Sequence, residues 1–86
     1  MKLVKLEKPN CPACGQVGQV LDSTGVDYEK WDIYGSDKNA TKAQEILGEL
    51  GYFTVPVTVI LDNADNVVDH SQGFKPDELH ALVEKI

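Results

Sequence analysis

The chain reads as an α/β domain with the element order β-α-β-α-β-β-α. Three observations predict this class. Strand-like runs alternate with stretches whose apolar residues recur at helical spacing, one run is β-branched and almost wholly apolar, and a turn-rich cluster follows that run directly. The apolar run has the composition of a central strand covered on both faces. A strand, helix, strand unit at the start implies a parallel pair joined by a right-handed crossover. The turn cluster implies an antiparallel hairpin. The expected result is a mixed four-stranded sheet flanked by three helices, in a single domain over residues 1–86.

Each element has its own local reason. Residues 2–7, KLVKLE, are short and aliphatic and are bounded by Pro9, which suits a first strand. From Pro12 the apolar positions Val17, Val20 and Leu21 fall at helical spacing, and Gly25 ends the stretch. Residues 26–34, VDYEKWDIY, alternate as a second strand, with Tyr28 and Lys30 on one face and Trp31 and Ile33 appearing later. Which of those faces is buried stays open at this point. Residues 39–51, NATKAQEILGELG, carry a stripe of Ala43, Ile46, Leu47 and Leu50, with Gly51 as the C-terminal stop. The third strand is TVPVTVIL, residues 54–61, and DNADN turns the chain into VVDH, residues 67–70. Pro76 opens the last helix, whose stripe is Leu79, Leu82, Val83 and Ile86.

Composition narrows the function classes. Fourteen acidic residues stand against eight lysines, arginine is absent, and the net charge is −6. Phosphate contacts need clustered cations, so nucleic acid is an unsuitable partner. No run approaches the roughly 18 consecutive apolar residues that span a membrane. The amino terminus, MKLVKLEKPN, alternates lysine with aliphatics and does not read as a signal peptide. A reducing, cytoplasmic setting and a monomeric state are the expectations.

Both cysteines lie in KPNCPACG, residues 8–15, with a proline directly after the first. Three readings compete: a structural clip, half of a metal site, or a thiol pair that carries electrons. A disulfide across so small a loop constrains the unfolded chain little and does not persist in a reducing compartment. Zinc would need His70 and His80 as well, yet nine positions intervene where a tight pair has about three to five. Redox exchange fits better. Cys11 falls where the first helix begins, among unpaired backbone N–H groups and at the positive end of the helix dipole, and both favour a thiolate. Pro12 suits the first helical turn, and Cys14 is one turn on, placed to attack a mixed disulfide formed on Cys11.

Pro56 is a second anomaly, because a proline in a β-branched run removes a ladder hydrogen bond. It either marks the first residues of the strand or follows a cis peptide bond that leaves the preceding backbone free for a substrate.

At this point three segments match a known family in order. KPNCPAC is similar to a lysine-proline-x-cysteine-x-x-cysteine opening, GYFTVPVTV to a glycine-tyrosine followed by an x-x-proline-valine strand, and SQGFKPDELHAL to a serine-glycine-phenylalanine segment leading into the last helix. The chain resembles the thioredoxin superfamily, within it the glutaredoxin branch, and most closely the glutaredoxin-like NrdH redoxins. The resemblance implies a thioredoxin fold with strand order 2-1-3-4. It implies Cys11 as nucleophile, Cys14 as resolving thiol, a redox-active Cys11–Cys14 disulfide with no further cofactor, and a cis bond between Val55 and Pro56.

Under the same resemblance, Lys8, Pro12, Thr54, Val55, Pro56, Gly73 and Phe74 meet the substrate or partner. Such proteins take electrons from thioredoxin reductase or glutathione and pass them to ribonucleotide reductase or other protein disulfides. Ser71 replaces a usual tryptophan, Ala13 a usual tyrosine, and Gly73 is followed by Phe74 and Lys75 rather than a second glycine and an acid. These departures weigh against glutathione. Lys38 and Lys42 are further candidates to meet a carboxylate, or simply a solvated helix face. Three rival readings follow: a glutathione-dependent glutaredoxin, a non-catalytic binding or regulatory module on the same fold, and a metal carrier.

Overall fold

The first strand, β1 (Lys2–Glu7), is the spine of the molecule, with a neighbour on each side. In the computed structural model, which describes residues Met1–Ile86, it pairs in parallel with β2 (Tyr28–Asp32) and antiparallel with β3 (Val57–Leu61). β3 pairs antiparallel with β4 (Val67–Gln72), giving the order β2-β1-β3-β4. This is the expected strand order, and the fold is the thioredoxin fold.

Alternation sorts the strand residues between two layers. Val4, Leu6, Trp31, Val57 and Val59 pack under α2 (Lys38–Leu50) with Ala43, Ile46 and Leu47. The question left by β2 is thereby settled, since Trp31 and Ile33 are buried while Lys30 is exposed. On the other face Leu3 and Ile60 meet Val17 and Leu21 of α1 (Pro12–Thr24) and Leu79 and Leu82 of α3 (Pro76–Glu84). Each fully buried Leu or Ile side chain contributes about 1.5–3 kcal/mol.

Four helix ends show why the elements start and stop where they do. Gly25 and Gly51, both at φ 75, cap α1 and α2 in the left-handed region that a side chain disfavours. Asp37 caps the start of α2 by accepting from the Ala40 N–H. α3 ends at Glu84, with the Lys85 N–H bonded back to Leu82 and Val83.

Two expectations shift. Ile86 is not part of the buried stripe: it lies beyond the last turn of α3 and is 49% exposed. The third strand begins at Val57 rather than Thr54, because Pro56 has no N–H to give the ladder. β4 in turn runs two residues further than VVDH, to Gln72, which pairs with Val57. The turn between them is held by Asp62, whose carboxylate accepts from the Ala64 and Asn66 N–H groups.

Candidate active site

After β1 the chain turns through Lys8, Pro9 and Asn10, the last at φ 57, a conformation asparagine tolerates better than most residues. Cys11 is then the N-cap of α1, with an extended backbone and its Sγ accepting from the Cys14 N–H at 3.2 Å. Pro12 takes the first helical position, where no N–H is required. No acidic residue occupies the first turn, so nothing on the helix offsets its positive end.

The two cysteines form a disulfide, with Cα atoms 5.2 Å apart. Cys11 is half-buried, whereas Cys14 is only 3% exposed. This asymmetry suits exchange: one sulfur is open to a partner and the other can be reached only from within the pair.

Sheet register brings two further loops to the same end of the molecule. Leu6 pairs with Val57 and Val57 with Gln72, so the end of β1, the start of β3 and the end of β4 lie side by side. The Val55–Pro56 bond is cis, as the family resemblance implied. Pro56 is buried, Val55 half-buried and Thr54 exposed. The Gly73 N–H, at φ 77, donates to the Pro56 carbonyl at 2.8 Å, and Gln72 Nε2 donates to Thr54 Oγ1 at 2.9 Å. These bonds tie residues 54–56 to residues 72–73. Phe74 follows with 41% of its surface exposed, and Pro12 and Lys8 are exposed beside the thiol loop.

Phe53, which sequence reasoning passed over, is the most exposed large apolar residue, at 97%. Its signal was an aromatic residue in the short loop between the Gly51 stop and the third strand.

Sequence reasoning also missed Lys5. Its side chain points inward from the middle of β1, and the residue is only 4% exposed. Nζ donates to the Cys14 carbonyl at 3.0 Å, pairs with Glu7 at 2.8 Å and lies 6.0 Å from the centroid of the Tyr28 ring. The readable signal was a lysine in period with Leu3 and Glu7 on a strand flanked on both sides, with Gly18 one turn after Cys14 on α1. Tyr28 donates its hydroxyl proton to Asp22, and burial together with that carboxylate pushes its pKa up to about 12.

The remaining candidates stand apart. Lys38 and Lys42 line a hollow with Lys2, Trp31 and Asp65. His70 shares a hydrogen bond with the Tyr52 hydroxyl at 3.0 Å, and His80 is exposed on α3. No helix is long and apolar enough to cross a membrane.

Comparison with known proteins agrees with this geometry. The glutaredoxin family model matches residues 2–64. The thioredoxin-like protein YosR of the SPbeta prophage in Bacillus subtilis is 35% identical over 86 residues, covering 100% of this chain and 99% of that protein. Among solved structures, the glutaredoxin-like NrdH-redoxin of Escherichia coli superposes with a TM-score of 0.73 at 22% identity, covering 95% of each chain. A glutaredoxin of Archaeoglobus fulgidus superposes with a TM-score of 0.74 at 23% identity, covering 95% of this chain and 85% of that one. The two cysteines at the tip of α1 carry thiol–disulfide oxidoreductase chemistry, and the chain belongs to the glutaredoxin family.

Proposed function

We propose that this oxidoreductase reduces disulfides of partner proteins by dithiol exchange, with Cys11 as nucleophile and Cys14 as resolving thiol. The observation that carries the reading is the pairing of a half-buried N-cap cysteine with a buried cysteine one turn later. In the reduced protein the Cys11 thiolate attacks one sulfur of the partner's disulfide. A Cys11–partner bond forms, and the partner's other sulfur leaves as a thiolate. Cys14 then gives its proton to solvent and attacks Cys11 Sγ, which releases the partner's second thiolate and leaves the Cys11–Cys14 disulfide. Two electrons have passed to the partner.

Phe53, Phe74, Pro12 and Val55 form the apolar rim on which the partner segment docks, with the backbone before Pro56 free for strand-like pairing. Lys8, Thr54 and Gly73 supply polar contacts around that rim. The electron source in this reading is thioredoxin reductase, and ribonucleotide reductase is the leading target. Support comes from the likeness to an NrdH-redoxin described as having a thioredoxin-like activity profile, and from Ala13, Ser71 and Lys75 at the positions noted above. Glutathione is the competing reductant, favoured by membership of the glutaredoxin family.

Trapping tests the reading. Cys14→Ser should hold a partner protein through Cys11 in an adduct that reducing agent dissolves, and Cys11→Ser should hold none. No adduct, or adducts with both variants, rejects the exchange mechanism. Turnover with thioredoxin reductase and NADPH should exceed turnover with glutathione; the reverse order rejects the electron source alone.

A further inference from the structure

Lysine is rarely buried unless its charge has partners, because an unpaired ammonium in a low-dielectric interior is costly. Lys5 has a built site: the Cys14 carbonyl, the Glu7 carboxylate and the Tyr28 ring all face it. Gly18 completes that site, since a Cβ added there would stand 3.0 Å from Nζ. The charge balance around it is uneven. Glu7 keeps 26% of its side chain exposed while Lys5 keeps 6%, so water screens the carboxylate more than the ammonium. From β2, Tyr28 is a neutral phenol at physiological pH, and Lys30, the partner of Lys5 in register, is exposed with its ammonium 5.9 Å from the centroid of the same ring. From α1, Asp22 is engaged by the Tyr28 hydroxyl. From β3, Thr58 pairs with Lys5 in register and is neutral. β4 contributes Ser71, which is bonded to Glu78 of α3.

We propose that Lys5 is a positioning residue for the thiol pair: its ammonium anchors the first turn of α1 through the Cys14 carbonyl and sets a positive charge beneath Cys14. This deepens the exchange reading and depends on it. The charge acts at the resolving step. When Cys14 loses its proton to solvent and attacks Cys11 Sγ, negative charge passes through the Cys14 sulfur, and a nearby buried cation stabilises it. In the reverse direction an external dithiol reduces the protein: its thiolate attacks Cys11 Sγ, Cys14 leaves as a thiolate, and the same charge favours that departure. Cys11 needs this help less, because the helix N-terminus and the Cys14 N–H already serve it.

The test compares Lys5→Gln, which keeps a donor for the carbonyl and drops the charge, with Lys5→Met, which drops both. Glu7→Gln leaves the ammonium uncompensated. Thiolate absorbance of Cys14 is titrated in a Cys11→Ser background, and resolution of a mixed disulfide is timed in proteins that retain both cysteines. Both Lys5 variants should lower the Cys14 thiolate fraction at neutral pH about three- to tenfold and slow resolution by a similar factor. Glu7→Gln should raise the thiolate fraction. The initial attack by Cys11, timed in a Cys14→Ser background, should change less than about twofold.

If either Lys5 variant fails to fold, the rise in Glu7→Gln decides the question, and no rise overturns the proposal. Lys5 variants that titrate and resolve as wild type also overturn the role of Lys5 and leave the exchange reading intact. A wild-type protein that forms no mixed disulfide with any protein or small disulfide overturns both.

Discussion

Gly18→Ala separates the Lys5 site from ordinary helix energetics. Gly18 is buried within α1, where alanine in place of glycine normally stabilises a helix by about 0.5–1 kcal/mol. Here the added Cβ would stand 3.0 Å from Lys5 Nζ and 3.5 Å from Tyr28 Oη. Nζ must yield, yet it is held at 3.0 Å on the Cys14 carbonyl and 2.8 Å on Glu7. Losing a hydrogen bond that involves a charged group costs about 1.5–3 kcal/mol, which exceeds the helix gain. The expected net loss is about 1–2 kcal/mol, or a Tm lower by about 5–10 °C for a domain of this length.

Gly48→Ala on α2 is the control, because nothing lies within 4 Å of its added Cβ. It should gain about 0.5–1 kcal/mol. Thermal and urea unfolding of the oxidised protein measure both variants. A Gly18→Ala protein as stable as Gly48→Ala would refute the argument, since Nζ would then be free to move at no cost.

Two more outcomes follow from the same sheet face. Tyr28 has its pKa raised from 10.0 to about 12, so the unfolded chain releases this proton first; stability is intact below pH 10 and falls as pH rises towards 12. Tyr28→Phe should remove the last tyrosine step in an ultraviolet titration and flatten that alkaline loss; an unchanged titration refutes the assignment. Thr58 is fully buried and its Oγ1 has no hydrogen-bond partner, so Thr58→Val should be neutral or stabilise by up to about 1 kcal/mol in urea unfolding. A loss above about 1 kcal/mol would show that the hydroxyl has a partner after all.

Most of the elements and one sulfur's environment were legible from local pattern. The stripe of Ala43, Ile46 and Leu47 and the stops at Gly25 and Gly51 depend only on helical period and capping, which act between near neighbours in sequence. Cys11 at the tip of α1 follows from Pro12 and the helix start in the same way. Local pattern misplaced Ile86, because the end of α3 decides its exposure, and Thr54 to Pro56, because the ladder starts only where an N–H can join it.

The chain alone therefore determined the element order, the helix ends and the placement of two thiols one turn apart, since each is a short-range matter of period, caps and missing N–H groups. The family resemblance implied, and the tertiary structure decided, that the Pro56 and Gly73 loops meet beside the thiol end of β1; tertiary structure alone decided that Lys5 turns inward beneath Cys14. Those facts depend on strand register and on helices closing over both faces. Register couples residues such as Leu6, Val57 and Gln72 that no local window contains together, and burial of a lysine is set by what covers it rather than by its neighbours in the chain.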